Sequence, residues 1–270
     1  MLGERKMDKQ LLNKNIVITG ASSGIGEKVA MLAAQKGARP ILLARSTEKL
    51  KNICEAINQK TGVTSIYYSL DVSDFDQVKV VFNKILDDVG TVDILVNNAG
   101  FGIFEALHEE SFDEIKQMFD VNVLGLIACT KEVLPLMLEK NRGHIINIAS
   151  QAGKVGSTKS SVYSATKHAV LGFTNSLRME LFDTNIYVSA VNPGPIDTNF
   201  FSIADKSGNY VKSTKRFMLK PDFVAEQIVK IMIQPKREVN LPRWMNAGSV
   251  LYHLLPGLVE KVTGKFLNLK

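Results

Sequence analysis

Cysteine is scarce in this 270-residue chain, which holds only Cys54 and Cys129. The two lie far apart and inside helical patterns, so they offer neither a disulfide framework nor the spacing of metal ligands. Reduced thiols and no bound metal are the expectation. The opening stretch MLGERKMDKQ is charged and lacks the apolar centre of a signal peptide. No later apolar run approaches the ~18 residues of a membrane span. A soluble, cytoplasmic protein is expected. Internal repeats, low-complexity tracts and Gly/Ser-rich linkers are also missing, so one domain with a sizeable core is the simplest organisation.

Charge is present but unevenly spread. Residues 1–204 carry 21 Lys/Arg against 22 Asp/Glu, whereas residues 205–270 carry 12 against 5, which concentrates the net +6 in the last quarter. Solvated helix faces explain most such excesses. No nucleic-acid module or interleaved basic and aromatic stripe accompanies the charge, so nucleic acid is not an expected partner.

Short apolar runs alternate with longer helical patterns. NIVITG, PILLA, TSIYYSL, VDILVNN, GHIINIAS and NIYVSAVN read as strands buried on both faces, and helices are expected from about Gly24, Ser46 and Ser73. Pro221 with Asp222 starts a helix containing Val224, Ile228 and Ile231. This alternation predicts a doubly wound α/β architecture with a parallel sheet and helices on both faces.

Between the first strand and helix runs Thr19-Gly20-Ala21-Ser22-Ser23-Gly24-Ile25-Gly26. Glycines at those positions permit a tight turn and close approach of backbone to a pyrophosphate, and a helix N-terminus favours negative charge. At the end of the second strand an acidic residue would suit a ribose hydroxyl. Arg45 and Ser46 stand there instead, with no Asp or Glu before Glu48, which favours the 2′-phosphate of NADP over NAD. Ser22 could add a hydroxyl to that phosphate, and the alternative is that Arg45 is a solvated strand end.

Tyr163 and Lys167 are four residues apart, hence on one helix face, and Ser150 ends an apolar run upstream. A cation beside a phenol would lower its pKa from ~10 toward the range useful for acid/base work. On residue type alone, Asn98 could be a turn former, Asn122 a helix residue bonded to its own backbone, and Asp71 a helix-start anion.

Taken in order, TGASSGIG at 19–26, Asp71-Val72, Asn97-Asn98-Ala99-Gly100, Asn122 in DVNVLG, Ser150, Tyr163 with Lys167, and Pro193-Gly194 resemble the short-chain dehydrogenases/reductases over about residues 14–200. The resemblance implies a single-domain Rossmann fold of about seven strands. It implies that Tyr163 is the catalytic acid/base and that Ser150 orients the substrate oxygen. Lys167 would tune Tyr163 and bind the nicotinamide ribose, and Asn122, in a distorted helix, would connect Lys167 to solvent through a water. Gly20, Ser22, Ser23, Gly24, Ile25, Gly26, Arg45 and Ser46 would hold the nucleotide, Asp71 and Val72 the adenine. Asn98, Ala99 and Gly100 would line the cofactor, and Pro193, Gly194, Ile196 and Thr198 would meet its nicotinamide end. His108, His144, His168 and His253 match no catalytic position of the family.

The C-terminal part departs from many bacterial relatives, among them the 3-oxoacyl-carrier-protein reductases, by lacking an Asp-Gly-Gly-like ending. It is similar instead to the branch of 11β-hydroxysteroid dehydrogenase-like reductases. Residues 197–218 occupy the family's substrate-lid position, where Phe200, Phe201, Tyr210 and Phe217 suit an apolar substrate, and Lys206, Lys212, Lys215 and Arg216 an anionic one. In the extension 241–270, Trp244, Leu251, Leu254, Leu255, Leu258 and Val259 are expected to bury against the body, to form a subunit contact, or to lie on a membrane beside basic residues. The expected function is NADP(H)-dependent transfer of a hydride to or from the carbonyl or secondary alcohol of an unidentified, apolar small-molecule substrate by a homodimer or homotetramer. The alternatives are a non-catalytic dinucleotide-binding sensor, a 3-oxoacyl-carrier-protein reductase-like enzyme, and a nucleotide-sugar epimerase or dehydratase.

Overall fold

A computed structural model describes residues 10–259 and 261; residues 262–270 of the C-terminal extension and the charged opening through residue 9 lie outside them. One seven-stranded sheet carries the domain. Its strands are β1 (Asn15–Thr19), β2 (Arg39–Ala44), β3 (Ile66–Ser69), β4 (Ile94–Asn97), β5 (Gly143–Ile148), β6 (Ile186–Pro193) and β7 (Glu238–Leu241). All pairings are parallel, in the order β3-β2-β1-β4-β5-β6-β7. The doubly wound Rossmann fold expected from the alternation is therefore present.

Alternate residues of each strand feed two cores. Ile16, Ile18, Leu42, Val96 and Ile146 face helices α1 (Gly24–Gln35), α2 (Thr47–Thr61) and α9 (Pro221–Ile233). Val17, Ile41, Leu43, Leu95 and Ile145 face α3 (Phe75–Val89), α5 (Leu126–Glu139) and α6 (Ser161–Glu180). A strand covered on both sides has no polar face, which is why these segments read as unbroken apolar runs.

Helix starts follow local chemistry. Asp74, not Ser73, caps α3 by accepting from Gln77 N at 2.9 Å, because the Ser73 hydroxyl is spent on Asp71 Oδ1 at 2.6 Å. Ser46 precedes α2 without a side-chain cap. Pro221 opens α9, where its missing N–H costs nothing.

Helix α4 (Phe112–Phe119) runs through a π-helical turn, Asp120–Gly125, into α5. This Phe112–Glu139 rod is, among the described residues, the one helix long and apolar enough to cross a membrane by length and composition. Lys131 and Glu132 hide it from a search for unbroken apolar runs. Its Cys129, Val133 and Met137 pack into the second core, so its apolarity is that of a sheet-covering helix. The remaining helices are α7 (Phe200–Ala204), α8 (Asn209–Thr214) and α10 (Arg243–Leu254).

Candidate active site

The strand order reverses between β1 and β4, so the loops leaving their C-terminal ends diverge and open a crevice there. The glycine turn forms its floor. Gly20 and Gly24 hold φ of +64° and +59°, a region costly for other residues. A Cβ on Gly20 would meet Ala99 Cα at 2.8 Å, and one on Gly26 would meet the Gly20 oxygen at 2.5 Å. The turn thus lies hard against the start of the β4 loop.

Asn98 fastens it. Its Nδ2 donates to the Thr19 and Gly20 carbonyls at 3.0 and 3.1 Å, while the Thr19 hydroxyl accepts from the Asn98 and Ala99 amides, both at 3.0 Å. Asn98 therefore pins the turn, a role its residue type permitted. Ser23 is exposed and gives α1 no side-chain cap, which leaves the first-turn amides of that helix to an anion. Ser22 is half-buried at the same turn, and Ile25 packs partly on the first core. A glycine cradle on an uncapped helix suits the pyrophosphate of a dinucleotide.

Arg45 lies exposed at the end of β2 with Ser46 beside it, and its guanidinium is 4.0 Å from Asp71 Oδ2. Burial raises the Asp71 carboxyl, but two hydrogen bonds from Ser73 and the Arg45 charge outweigh it and hold the pKa below the usual value. Val72 is buried against the π-helical turn, its carbonyl 2.7 Å from where a Gly125 Cβ would be. It supports that turn from below.

Tyr163, Ser150, Lys167 and Asn122 come together across β5, α6 and the π-helical turn. All four are buried. Lys167 Nζ donates to the Ile148 carbonyl at 3.0 Å and stands 5.8 Å from the Tyr163 ring centre. A Cβ on Gly100 would lie 3.0 Å from Asn122 Oδ1 and 3.6 Å from Lys167 Nζ, which places that glycine over both. Asn122 grips Phe101, accepting from its amide at 3.0 Å and donating to its carbonyl at 2.8 Å, and also donates to Thr166 Oγ1 at 3.2 Å. Thr166 in turn donates to the Tyr163 carbonyl at 2.7 Å.

Ser150 Oγ accepts from Ala152 N at 3.1 Å and lies within a long 3.4 Å of the Pro193 carbonyl, to which it can donate. Its proton is easily redirected. Gly194 N donates to the Leu241 carbonyl at 2.6 Å, and Ile196 is buried in the first core. Thr198 returns to the glycine turn, its Cγ2 3.5 Å from where a Gly24 Cβ would be.

The expected lowering of the phenol by Lys167 is not found. Burial pushes Tyr163 well above the ordinary tyrosine range; a hydrogen bond from Ser150 to the phenol oxygen opposes this and Tyr210 adds to it. The same desolvation lowers Lys167 to about 8. Removing water penalises both charged forms.

Over Tyr163 sits an aromatic cluster. Phe104 meets the Tyr163, Phe200, Phe201 and Tyr210 rings at centroid distances of 5.6, 6.3, 6.1 and 4.8 Å. Gly102 makes room beneath it, since a Cβ there would lie 2.9 Å from the Tyr163 ring. Neither Phe104 nor Gly102 was found by sequence reasoning, because the loop GFGIFEA has no helical or strand periodicity. Phe217, expected with the cluster, turns away to Trp244 at 5.9 Å. Lys206 is tied to Glu105 at 3.1 Å and Glu114 at 3.4 Å, so the anion-attracting role considered for it is not served.

The histidines lie elsewhere: His168 and His253 each bond a carbonyl one turn back, His144 bonds Ser189, and His108 is 3.9 Å from Glu109. Among the described residues no cluster of three or more His, Cys, Asp or Glu is arranged to hold a metal ion.

Fold and crevice together define a Rossmann-type scaffold with a phenol and an ammonium buried at its mouth. The chain belongs to the short chain dehydrogenase family, whose model matches residues 14–207. It is 35% identical over 227 residues to an NADP-dependent 3-hydroxy acid dehydrogenase of Schizosaccharomyces pombe, covering 82% of this chain and 87% of that one. Among solved structures it is similar to an alcohol dehydrogenase of the archaeon Thermococcus sibiricus complexed with 5-hydroxy-NADP (32% identity, TM-score 0.74, covering 84% and 94%). It is also similar to a short chain dehydrogenase/reductase of Burkholderia phymatum in complex with NAD (26% identity, TM-score 0.85, covering 92% and 96%). The protein is an oxidoreductase of this family, and its neighbours include binders of both dinucleotides.

Proposed function

We propose that this protein is an NADP(H)-dependent reductase of an apolar carbonyl compound, or a dehydrogenase of the matching secondary alcohol. The observation that carries this reading is Tyr163, buried beneath Phe104, Phe200 and Tyr210 with Lys167 on its other side. A sensor of the dinucleotide would need no such phenol. The aromatic cover favours an apolar substrate, in keeping with the resemblance to 11β-hydroxysteroid dehydrogenase-like reductases rather than to the 3-oxoacyl-carrier-protein reductases.

In this reading residues 197–218 are the lid. Gly20, Ser22, Ser23, Gly24 and Gly26 hold the pyrophosphate, and Arg45 with Ser46 receives the 2′-phosphate. Asp71 and Val72 border the adenine, while Asn98, Ala99, Gly100, Pro193, Gly194, Ile196 and Thr198 border the rest of the dinucleotide. Arg45 supports the phosphorylated form because it is exposed and held only by a 4.0 Å ion pair. When bound, the cofactor supplies the hydride.

The chain's own groups do the rest. Ser150 redirects its weakly used proton to the substrate oxygen and stabilises the charge that develops there. Tyr163, whose raised pKa keeps it protonated at neutral pH, donates the proton. Lys167 has ammonium protons beyond the one given to Ile148, and one of these serves the ribose. Asn122, at the π-helical distortion, links Lys167 to solvent through a water.

The cytoplasm, where Cys54 and Cys129 stay reduced, is the compartment we favour. A homodimer or homotetramer built on α4–α6 would cover the exposed Phe112, Met179 and Phe182. The test is NADPH and NADH consumption over a panel of aldehydes, ketones, quinones and steroids. Tyr163→Phe is expected to lose turnover, on the order of the 10²–10⁴-fold ascribed to a positioned acid, while NADPH affinity stays near wild type. Turnover that survives the substitution refutes the assignment.

A further inference from the structure

Ser150 owes its place to the short 3₁₀ turn that follows it, Gln151–Gly153, from which Ala152 N donates to its Oγ at 3.1 Å. Backbone bonds from Gly153 N to the Ser150 oxygen at 3.0 Å and from Lys154 N to the Gln151 oxygen at 2.9 Å keep the turn's shape. Shape alone does not fix where the turn sits. On one side it is pressed against α6, since a Cβ on Gly153 would meet the Lys167 carbonyl oxygen at 2.7 Å. Elsewhere the side chains of Gln151 and Lys154 anchor it.

These two side chains reach β6, β7 and α10. Gln151 Nε2 donates to the Asn192 carbonyl at 2.8 Å and lies 3.5 Å from Asn240 Oδ1. Lys154 Nζ pairs with Glu238 and donates to Asn246 Oδ1 at 3.2 Å. Asn192, wholly buried, joins the two anchors by donating from Nδ2 to Glu238 Oε1 at 2.5 Å and to Asn240 Oδ1 at 3.0 Å. The Lys154 side chain is only 16% exposed and that of Glu238 30%, so this hydrogen-bonded ion pair is shielded from salt and fixed in direction.

Glu238, Asn240 and Asn246 lie beyond residue 207, where the match to the family ends. Among the described residues Trp244, Leu251, Leu254, Leu255 and Leu258 stay exposed, so the burial considered for them is not found. Helix α10 instead touches the body through Met245 at Gly194 and through Asn246 at Lys154.

We infer that Gln151, Lys154 and Glu238 are positioning residues, which act through the turn to hold the Ser150 hydroxyl where it meets the substrate oxygen. The inference rests on the role given to Ser150 above. A donor to a developing oxyanion works only in the right place, and a displacement of about 1 Å is enough to lose on the order of 10²-fold in rate. An interaction realised in the transition state shows in kcat rather than in KM, so a loss confined to kcat is the signature of this network.

The test is a double-mutant cycle on the full-length enzyme, with a carbonyl compound that the wild type reduces. Ser150→Ala alone is expected to lower kcat on the order of 10²-fold. Lys154→Met, which keeps the side chain's length but not its charge, should lower kcat roughly tenfold, with KM and NADPH affinity near wild type. In the Ser150→Ala background the same substitution should do nothing further, because the hydroxyl it positions is gone. Lys154→Arg still carries donors for Glu238 and Asn246 and should restore most of the rate. Gln151→Leu, at the other anchor, should repeat the Lys154→Met result and serves in its place if that variant does not fold.

Losses that multiply across the cycle overturn the inference, as does a kcat untouched by either substitution, or a loss shared equally with NADPH affinity. Unfolding by both substitutions also overturns it, because the network would then hold the fold rather than the serine. A Ser150→Ala enzyme that turns over like wild type refutes the role of Ser150 itself, so the two failures are read from different variants.

Discussion

A lysine taken almost wholly out of water changes what it can do for its neighbours. Lys167 is ordinarily protonated to pH ~10.5, but burial brings it to about 8 in this site. At pH 7 it is still mostly the ammonium; through about 8 the charge is lost. Tyr163 moves the other way and keeps its proton throughout that range. The two groups are therefore separable by pH. If the ammonium of Lys167 binds cofactor, kcat/KM for reduction, which reports groups of the free enzyme, should fall as pH rises through about 8. Tyr163 cannot be the cause, since its pKa is displaced upward. A profile that is flat across that interval would remove Lys167 from the essential groups. The same residues show what sequence could and could not convey: the spacing of Tyr163 and Lys167 put them on one face, but the sign of the phenol's shift depends on desolvation by Phe104, Phe200 and Tyr210, none of which is near Tyr163 in sequence.

Among the elements, six of the seven strands were plain in the apolar runs, because burial suppresses polar residues; β7, with Glu238 and Asn240 half-buried at the sheet edge, was not, and β3 is only half-buried. Strand ends were less so: VDILVNN gives a strand only over Ile94–Asn97, since Asn98 leaves the ladder to bond the glycine turn. For residues 197–218, the proposed lid, the sequence did not convey the arrangement. Phe200, Phe201 and Tyr210 fold onto Phe104, while Lys206 clamps the segment to Glu105 and Glu114 on the far wall. Glu114 also forms a capping box with Ser111 at the start of α4, so one carboxylate fixes a helix end and receives the lid. Lys206→Ala should free the lid without unfolding the domain, because exposed ion pairs contribute little to stability. The expected result is a several-fold rise in KM for apolar carbonyls, faster proteolysis within 197–218 and an unchanged thermal midpoint. An unaltered KM would show that the aromatic contacts alone hold the lid.

At the scale of the whole molecule the sheet carries one acid-sensitive group that the site does not use. His144 in β5 bonds Ser189 Oγ at 2.8 Å, and Ser189 gives its own proton to the Lys236 carbonyl at 2.6 Å. The serine must therefore accept, which fixes the imidazole proton on Nε2 and leaves Nδ1 as a buried lone pair without a partner. Burial lowers this histidine to about 4, against ~6.5 in an unfolded chain. Between those values the unfolded state binds a proton that the native state refuses, so stability declines as pH falls from about 6.5 toward about 4, by up to roughly 3 kcal/mol. Urea unfolding across that interval measures the slope. His144→Gln, which can still donate to Ser189, should start less stable at neutral pH through imperfect packing but lose less on acidification. A variant whose stability falls as steeply as the wild type's would place the acid sensitivity elsewhere in the fold.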